Sequence, residues 1–303
     1  MSGSVGATMA VETLRMSVPY VCAALGGVVS ERSGVVNIAL DGLMLASALG
    51  GVATAIATGS AVAGVAGGVA TGVLLALLHA VVVVRGRVDG IVSGVAIQLL
   101  AAAGTRFTLR ALYDSASNSP SIEGFRLGPA GAGATEALAR VLLDPIAWLA
   151  LVAVAGVPWL LRSTRFGLRL RGAGENPEAA AAAGVNVGAV RIAAVALSGA
   201  LCALGGLHLA FDQHRFESGM TGGRGFIGLA AVIVAGWRPG RAVLACLGFA
   251  ALDAAQIVLQ DRVAVAHELL QALPYVATLV AIAGLTRGAR APAGLGRHPD
   301  PHP

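Results

Sequence analysis

The chain has 303 residues, 56% of them hydrophobic and 12% charged, with a mean hydropathy of +0.78. A soluble domain of this length needs far more charge to cover its surface, so the composition excludes a soluble enzyme or binding module and puts the chain in lipid. The net charge of +5 comes from arginines in short loops between apolar runs, which suits anionic headgroups and not nucleic acid.

The N-terminus, MSGSVGATMAVETLRMSVPYVC, carries an acid and polar residues before its apolar run and has no basic region, so it reads as a retained first helix and not a cleaved signal. Apolar runs then follow at 14–30, 36–58, 62–84, 88–104, 144–161, 188–210, 225–236, 241–260 and 269–286. Each is long enough for a helix, and none alternates as a barrel strand does. The reading is an all-α polytopic membrane protein of about nine transmembrane helices, between eight and ten, over residues 1–286. Most of the 42 glycines read as sites of close helix packing, as in GGVATG and ALSGALCALGG. Cys22, Cys202 and Cys246 sit in apolar surroundings and read as small buried hydrophobes.

Orientation follows from arginine alone, because the chain has no lysine. With the loop 162–187 placed in the cytoplasm, thirteen arginines fall inside against eight outside. The polar stretch 105–143 is then an external loop. The tail 287–303, rich in proline, glycine and charge, reads as disordered and cytoplasmic.

The inside loop opens with RSTRFGLRLR and continues GAGENPEAAAAAG. Asn176 can cap a short helix, Pro177 suits its first position, Glu178 complements the positive end of its dipole, and Gly184 stops it. About two turns cannot cross a membrane. Without Trp, Phe or Leu the helix has no lipid anchor, so it is better built to dock into a protein groove than to lie in the interface.

Five ordered segments then carry a resemblance: ERSGVVNIALDGLML at 31–45, DGIVSGVAIQLL at 89–100, GLRLRGAGENPEAAAAAGVNV at 167–187, GRGFIGLAAVIVAGWRPG at 223–240 and LPYVATL at 273–279. In these the chain resembles the permease subunits of binding-protein-dependent ABC importers for simple sugars, nucleosides and branched-chain amino acids. Its likeness is greatest to the nucleoside-type permeases fed by a lipoprotein. The resemblance implies a bacterial cytoplasmic (inner) membrane location and three protein partners: an ATP-binding subunit, a second homologous permease subunit and an extracytoplasmic substrate-binding lipoprotein. It also implies that Gly174, Glu175, Asn176, Pro177 and Ala180 form the coupling contact with the ATP-binding subunit, with Arg171 on the basic stem and Gly184 at the helix end. Where the family usually has Gly-Leu-Glu-Gly, this chain has ALDG, with Ala39 in place of the glycine and Asp41 in place of the glutamate.

No enzymatic constellation stands out. H-E-x-x-H and G-x-S-x-G are absent, the six histidines form no ligand set, and a Walker A motif cannot occur without lysine. No cofactor is expected, and any ATP-driven work must be delivered by another subunit. Polar residues inside the apolar runs are costly in lipid, so Asn37, Asp41, Ser93 and Gln98 are read either as lining the translocation path or as tying helices together. Glu31 and Arg32 read as a boundary anchor. His208 and His214 lie near an outer edge, where a proton relay or metal role is the alternative to a structural one. Two other functional readings stay open: a ribose-type sugar ABC permease, and an ion-coupled secondary transporter with broken helices.

Overall fold

In the computed structural model, residues 2–125, 143–260, 275–281, 283–284 and 290–297 are described. They form ten helices: α1 (Ser2–Arg32), α2 (Leu40–Thr58), α3 (Ala61–Val84), α4 (Gly90–Tyr113), α5 (Pro145–Ser163), α6 (Arg165–Glu175), α7 (Pro177–Ala182), α8 (Val187–Asp212), α9 (Arg224–Val234) and α10 (Pro239–Gln260). A further helical stretch covers 275–281. Among the described residues there is no strand, only one isolated bridge between Asn118 and Glu217. The chain is an all-α polytopic membrane protein.

Seven of these helices are long and apolar enough to cross a bilayer: Gly6–Arg32 within α1, then α2, α3, α4, α5, α8, and Pro239–Ile257 within α10. The expected crossing at 225–236 is only the 11-residue α9. At the helical rise that is about 16 Å, half the hydrocarbon thickness. Its start is set by the run SGMTGGRG, where Gly219, Gly222 and Gly223 all take left-handed backbone angles that end regular structure. The last expected span, 269–286, lies partly outside the described residues.

α1, α2 and α8 form the centre of the bundle. α1 packs on α8, α9 and α10, while α2 packs on α3, α4 and α8. Small residues permit this: a Cβ built on Gly72 of α3 would stand 2.8 Å from the Gly199 carbonyl of α8, so only a glycine allows those backbones to meet. α3, α4 and α5 turn apolar faces outward, including Leu74, Val92, Leu99, Trp148, Val152 and Trp159. These faces suit hydrocarbon, which exerts no penalty on exposed Leu or Val.

The arginines sort by end. Arg32, Arg85, Arg87, Arg191 and Arg238 gather with the α5–α8 loop at one end, as Arg32 Nε donates to the Trp237 carbonyl at 3.0 Å and Arg191 reaches Ser33, Ala173 and Arg297. At the opposite end, Arg15 pairs with Glu12 and Asp212, and the 115–122 loop is stitched to 214–218 by backbone bonds. Of the tail expected to be disordered, residues 290–297 bond to the arginine-rich end: Gly294 N–H donates to Gly174 O at 2.8 Å and Gly296 N–H to Gly34 O at 2.9 Å. Residues 287–289 and 298–303, and 126–142 of the polar stretch 105–143, lie outside the described residues.

Candidate functional site

α2 does not follow α1 directly. After Arg32 the backbone runs non-helically through 33–39 before Leu40. Asn37 there is fully buried, and its Nδ2 donates to Ser198 Oγ at 3.1 Å. Ser198 is eleven residues into the 26-residue α8, about 16 Å along it and near its middle. Asn37 Oδ1 accepts the Ala39 N–H, closing an Asx turn just ahead of α2.

Asp41, in the first turn of α2, faces the start of α9. Its Oδ1 accepts the Gly225 N–H at 3.0 Å, and its Oδ2 accepts Thr221 Oγ1 at 2.9 Å and Gln98 Nε2 at 3.2 Å. Two helix N-termini therefore converge in the middle of the bundle, and one carboxylate answers the positive ends of both dipoles. The approach is so close that a Cβ on Gly225 would overlap the Asp41 backbone. The surroundings are polar: Arg224 donates to the Met220 and Thr221 carbonyls and meets Asp253 at 3.4 Å, and Asp253 accepts Tyr20 Oη. Gln98 is half-buried, yet its Oε1 lies shielded from solvent without a hydrogen-bond partner, as does Arg224 Nε.

Ser93 sits apart from Gln98. Its hydroxyl meets His79 Nδ1 at 2.9 Å, while His79 Nε2 meets the Val36 carbonyl at 3.2 Å. The structure thus brings Asn37, Asp41 and Ser93 to the break before α2 and the first turn that follows it, each through a different neighbour. Thr221, Gly225 and His79 belong to this centre and were not singled out in the sequence. The signal for Gly225 is the helix start after GMTGG, and the signal for His79 is an ionisable group inside an apolar run.

Glu31 and Arg32 do not pair with each other. The Trp237 indole N–H donates to Glu31 Oε2, and Arg32 holds the Trp237 backbone. Trp237 is buried with φ +56°, a strained angle for a bulky residue that this double clamp maintains. His208 is a satisfied structural histidine, with Nδ1 on Asp144 Oδ2 at 2.7 Å and Nε2 on the Arg15 carbonyl at 3.1 Å. His214 is exposed and bonds locally to Asp212 O. Cys22, Cys202 and Cys246 are buried free thiols, and the described residues hold no cluster of metal ligands.

At the arginine-rich end the loop is two helices, not one. Thr164 Oγ1 accepts the Gly167 N–H and caps α6, whose Gly167, Leu170, Ala173 and Gly174 are buried while Leu168 and Arg169 face out. Asn176 Oδ1 accepts the Ala179 N–H at 3.0 Å and starts α7, with Pro177 in its first position. Gly184, at φ +81°, then ends it, as the sequence signals require. The structure divides the expected coupling residues. Gly174, Pro177 and Ala180 are buried against this chain, and a Cβ on Gly174 would overlap the Arg32 carbonyl. Glu175, Asn176 and Gly184 face outward together with Glu178, Ala179, Ala182 and Ala183. Arg171 is half-buried, its Nε on the Gly167 carbonyl at 3.4 Å.

An all-helical bundle in which a short helix and a spanning helix start against each other inside the bundle, with a capped helix presented outside it, is the build of a membrane permease. Over residues 9–282 the chain matches the family described as branched-chain amino acid transport system / permease component, and it belongs to that family. It is a transport subunit and not an enzyme. It is 34% identical over 298 residues to the guanosine ABC transporter permease protein NupQ of Bacillus subtilis, covering 94% of this chain and 93% of that one. To the nucleoside ABC transporter permease protein NupC of Lactococcus lactis it is 33% identical over 294 residues, 92% of each chain. It is also 34% identical over 260 residues to the putative glucose ABC transporter permease protein TsgC13 of Haloferax volcanii, covering 81% of this chain and 75% of that one.

Proposed function

We propose that this permease imports nucleosides across a bacterial cytoplasmic membrane, with its arginine-rich end and C-terminus in the cytoplasm. There α7 meets an ATP-binding subunit; a second permease completes the path, and a substrate-binding lipoprotein delivers the solute from outside. The observation that supports the coupling reading is the geometry of α7: it is anchored by buried Pro177 and Ala180 and presents Glu175, Asn176, Glu178, Ala179 and Ala182 outward. The basic stem of Arg165, Arg169 and Arg171 holds this platform at an anionic surface.

The centre where α2 and α9 start is the proposed passage point. Asp41, Thr221 and Gly225 hold the two helix starts together, and Gln98 Nε2 ties α4 to the same carboxylate. A polar neutral solute such as a nucleoside fits donors and acceptors of this kind. Nucleosides are favoured because two relatives named for them match this chain almost end to end. Sugar import is the second reading, favoured by the likeness to a permease named for glucose. Uptake of labelled guanosine, uridine and glucose by cells with and without the gene tests this directly. Gene-dependent guanosine or uridine uptake with unchanged glucose uptake is the expected result, and the reverse pattern assigns the permease to sugars.

A further inference from the structure

Arg191 is the most constrained cation of the arginine-rich end. It is 2% exposed, and its guanidinium donates to three backbone carbonyls: Nε to Ser33 at 3.1 Å, Nη1 to Arg297 at 2.8 Å and Nη2 to Ala173 at 3.3 Å. Those carbonyls belong to three separate segments, the connector before α2, the C-terminal segment and the end of α6. Among the described residues no acidic side chain pairs with it. A buried charge offset only by carbonyl dipoles is costly to keep, and one residue of α8 does so while fixing three other pieces of chain. Only a planar fork with separated donors can do this, since an ammonium is a single point.

The C-terminal segment 290–297 completes the joint. Gly294 and Gly296 donate to Gly174 and Gly34, Ala293 N–H reaches Glu175 Oε2 at 3.3 Å, and Leu295 packs against the cluster containing Leu170, Ala173 and Ala180. A Cβ on Gly294 would stand 2.8 Å from Gly174 O and 2.9 Å from Pro177 Cδ, so the segment is wedged against the first residue of α7. Gly34, at φ +96°, leaves no room for a side chain beside the Arg191 fork. Three residues beyond Gly34 is Asn37, and four further is Asp41. The structure therefore contains one continuous set of hydrogen bonds from the α6–α7 junction at Gly174 and Glu175, through residues 290–297 and the Arg191 side chain, to Ser33 and Gly34 in the connector before α2.

We infer that Arg191 and residues 290–297 form a strut that passes displacement of α7 to the α2 break, making them positioning residues for coupling ATP hydrolysis to transport. The inference rests on the reading of α7 as the ATPase contact. Bistable packed elements, not soft ones, carry such coupling, and the strut joins the residues just before α7 to the connector that leads into α2 through hydrogen bonds.

The test uses the assembled importer in proteoliposomes, with its ATP-binding subunit, permease pair and binding lipoprotein. Three variants are compared: Gly294→Val, a chain ending after residue 289, and Arg191→Ala. Copurification of the ATP-binding subunit, ATP hydrolysis and uptake of labelled guanosine are measured together. The expected result for Gly294→Val and the shortened chain is a retained ATP-binding subunit, ATP hydrolysis within twofold of the unaltered importer, and at least tenfold less guanosine carried per ATP hydrolysed. Unchanged guanosine per ATP overturns the strut. Loss of the ATP-binding subunit also overturns it, by making the segment a docking surface. If Arg191→Ala fails to assemble, the other two variants decide. The α7 reading fails separately, when Ala179→Trp in the same assay binds the ATP-binding subunit and transports normally.

Discussion

Asp41 holds together parts of the chain far apart in sequence, because its two oxygens take hydrogen bonds from α4, from the 213–223 loop and from the first turn of α9. Removing the carboxylate strands three donors in a buried site, at about 1–3 kcal/mol for each one left unsatisfied. Asp41→Ala is therefore expected to lower the melting temperature of the detergent-solubilised protein by several degrees. Asp41→Asn keeps the shape and one acceptor, so it is expected to leave assembly intact while cutting uptake at least tenfold; normal uptake by the Asn variant would remove Asp41 from the passage point. Gly225→Ala is the sharper structural probe, since the added Cβ overlaps Asp41 backbone, which cannot rotate aside. It is expected to abolish recovery of folded protein on size-exclusion chromatography. That the two residues meet was not legible in the sequence. Asn37 and Asp41 stood out as polar groups in an apolar run, but nothing local names Ser198 as the partner of Asn37, or Thr221, 180 residues away, and Gly225 as those of Asp41.

Among the elements, the part determined by local chemistry was the part that could be read. Asn-Pro-Glu at the start and glycine at the end specify α7 without reference to the rest of the fold, and the helix forms there. α6 was missed because RFGLRLRGAGE carries three glycines in eleven residues, a helix cost that only tertiary packing offsets. The Thr164 cap was the available signal. The orientation of α7 was also hidden, since a run of alanines has no apolar face to read. Its geometry now makes a contrast between neighbours. Ala179 is exposed and Ala180 is 8% exposed. Ala179→Trp is expected to block binding of the ATP-binding subunit while leaving the melting temperature unchanged, whereas Ala180→Trp is expected to unseat α7 from α6 and lower the melting temperature. The reverse pattern in paired copurification and thermal-shift measurements would turn the docking face over. Asn176→Ala, which removes the cap bond to Ala179, is expected to cost about 1 kcal/mol of local stability, read as faster hydrogen exchange across 177–183.

For the whole molecule, the asymmetry of arginine is a statement about sidedness. Arg32, Arg85, Arg87, Arg162, Arg165, Arg169 and Arg171 fall at the end that bears α6 and α7, while the other end uses its charges in ion pairs such as Arg15 with Asp212 and Arg215 with Glu217. Charge bias in short loops sets orientation, and the proposed function accordingly puts the α7 end in the cytoplasm and the 115–122 loop outside. The three native thiols are all buried at 0% exposure and do not interfere with thiol labelling. Single cysteines at Ala183, exposed beside α7, and at Ser117, exposed in the loop bonded to 214–218, therefore report the two ends independently. With a membrane-impermeant maleimide, Ser117→Cys is expected to label in intact spheroplasts and Ala183→Cys only after the membrane is opened. Labelling of position 183 from outside would invert the molecule, detach α7 from any cytoplasmic ATPase and leave the arginine asymmetry without an electrostatic cause.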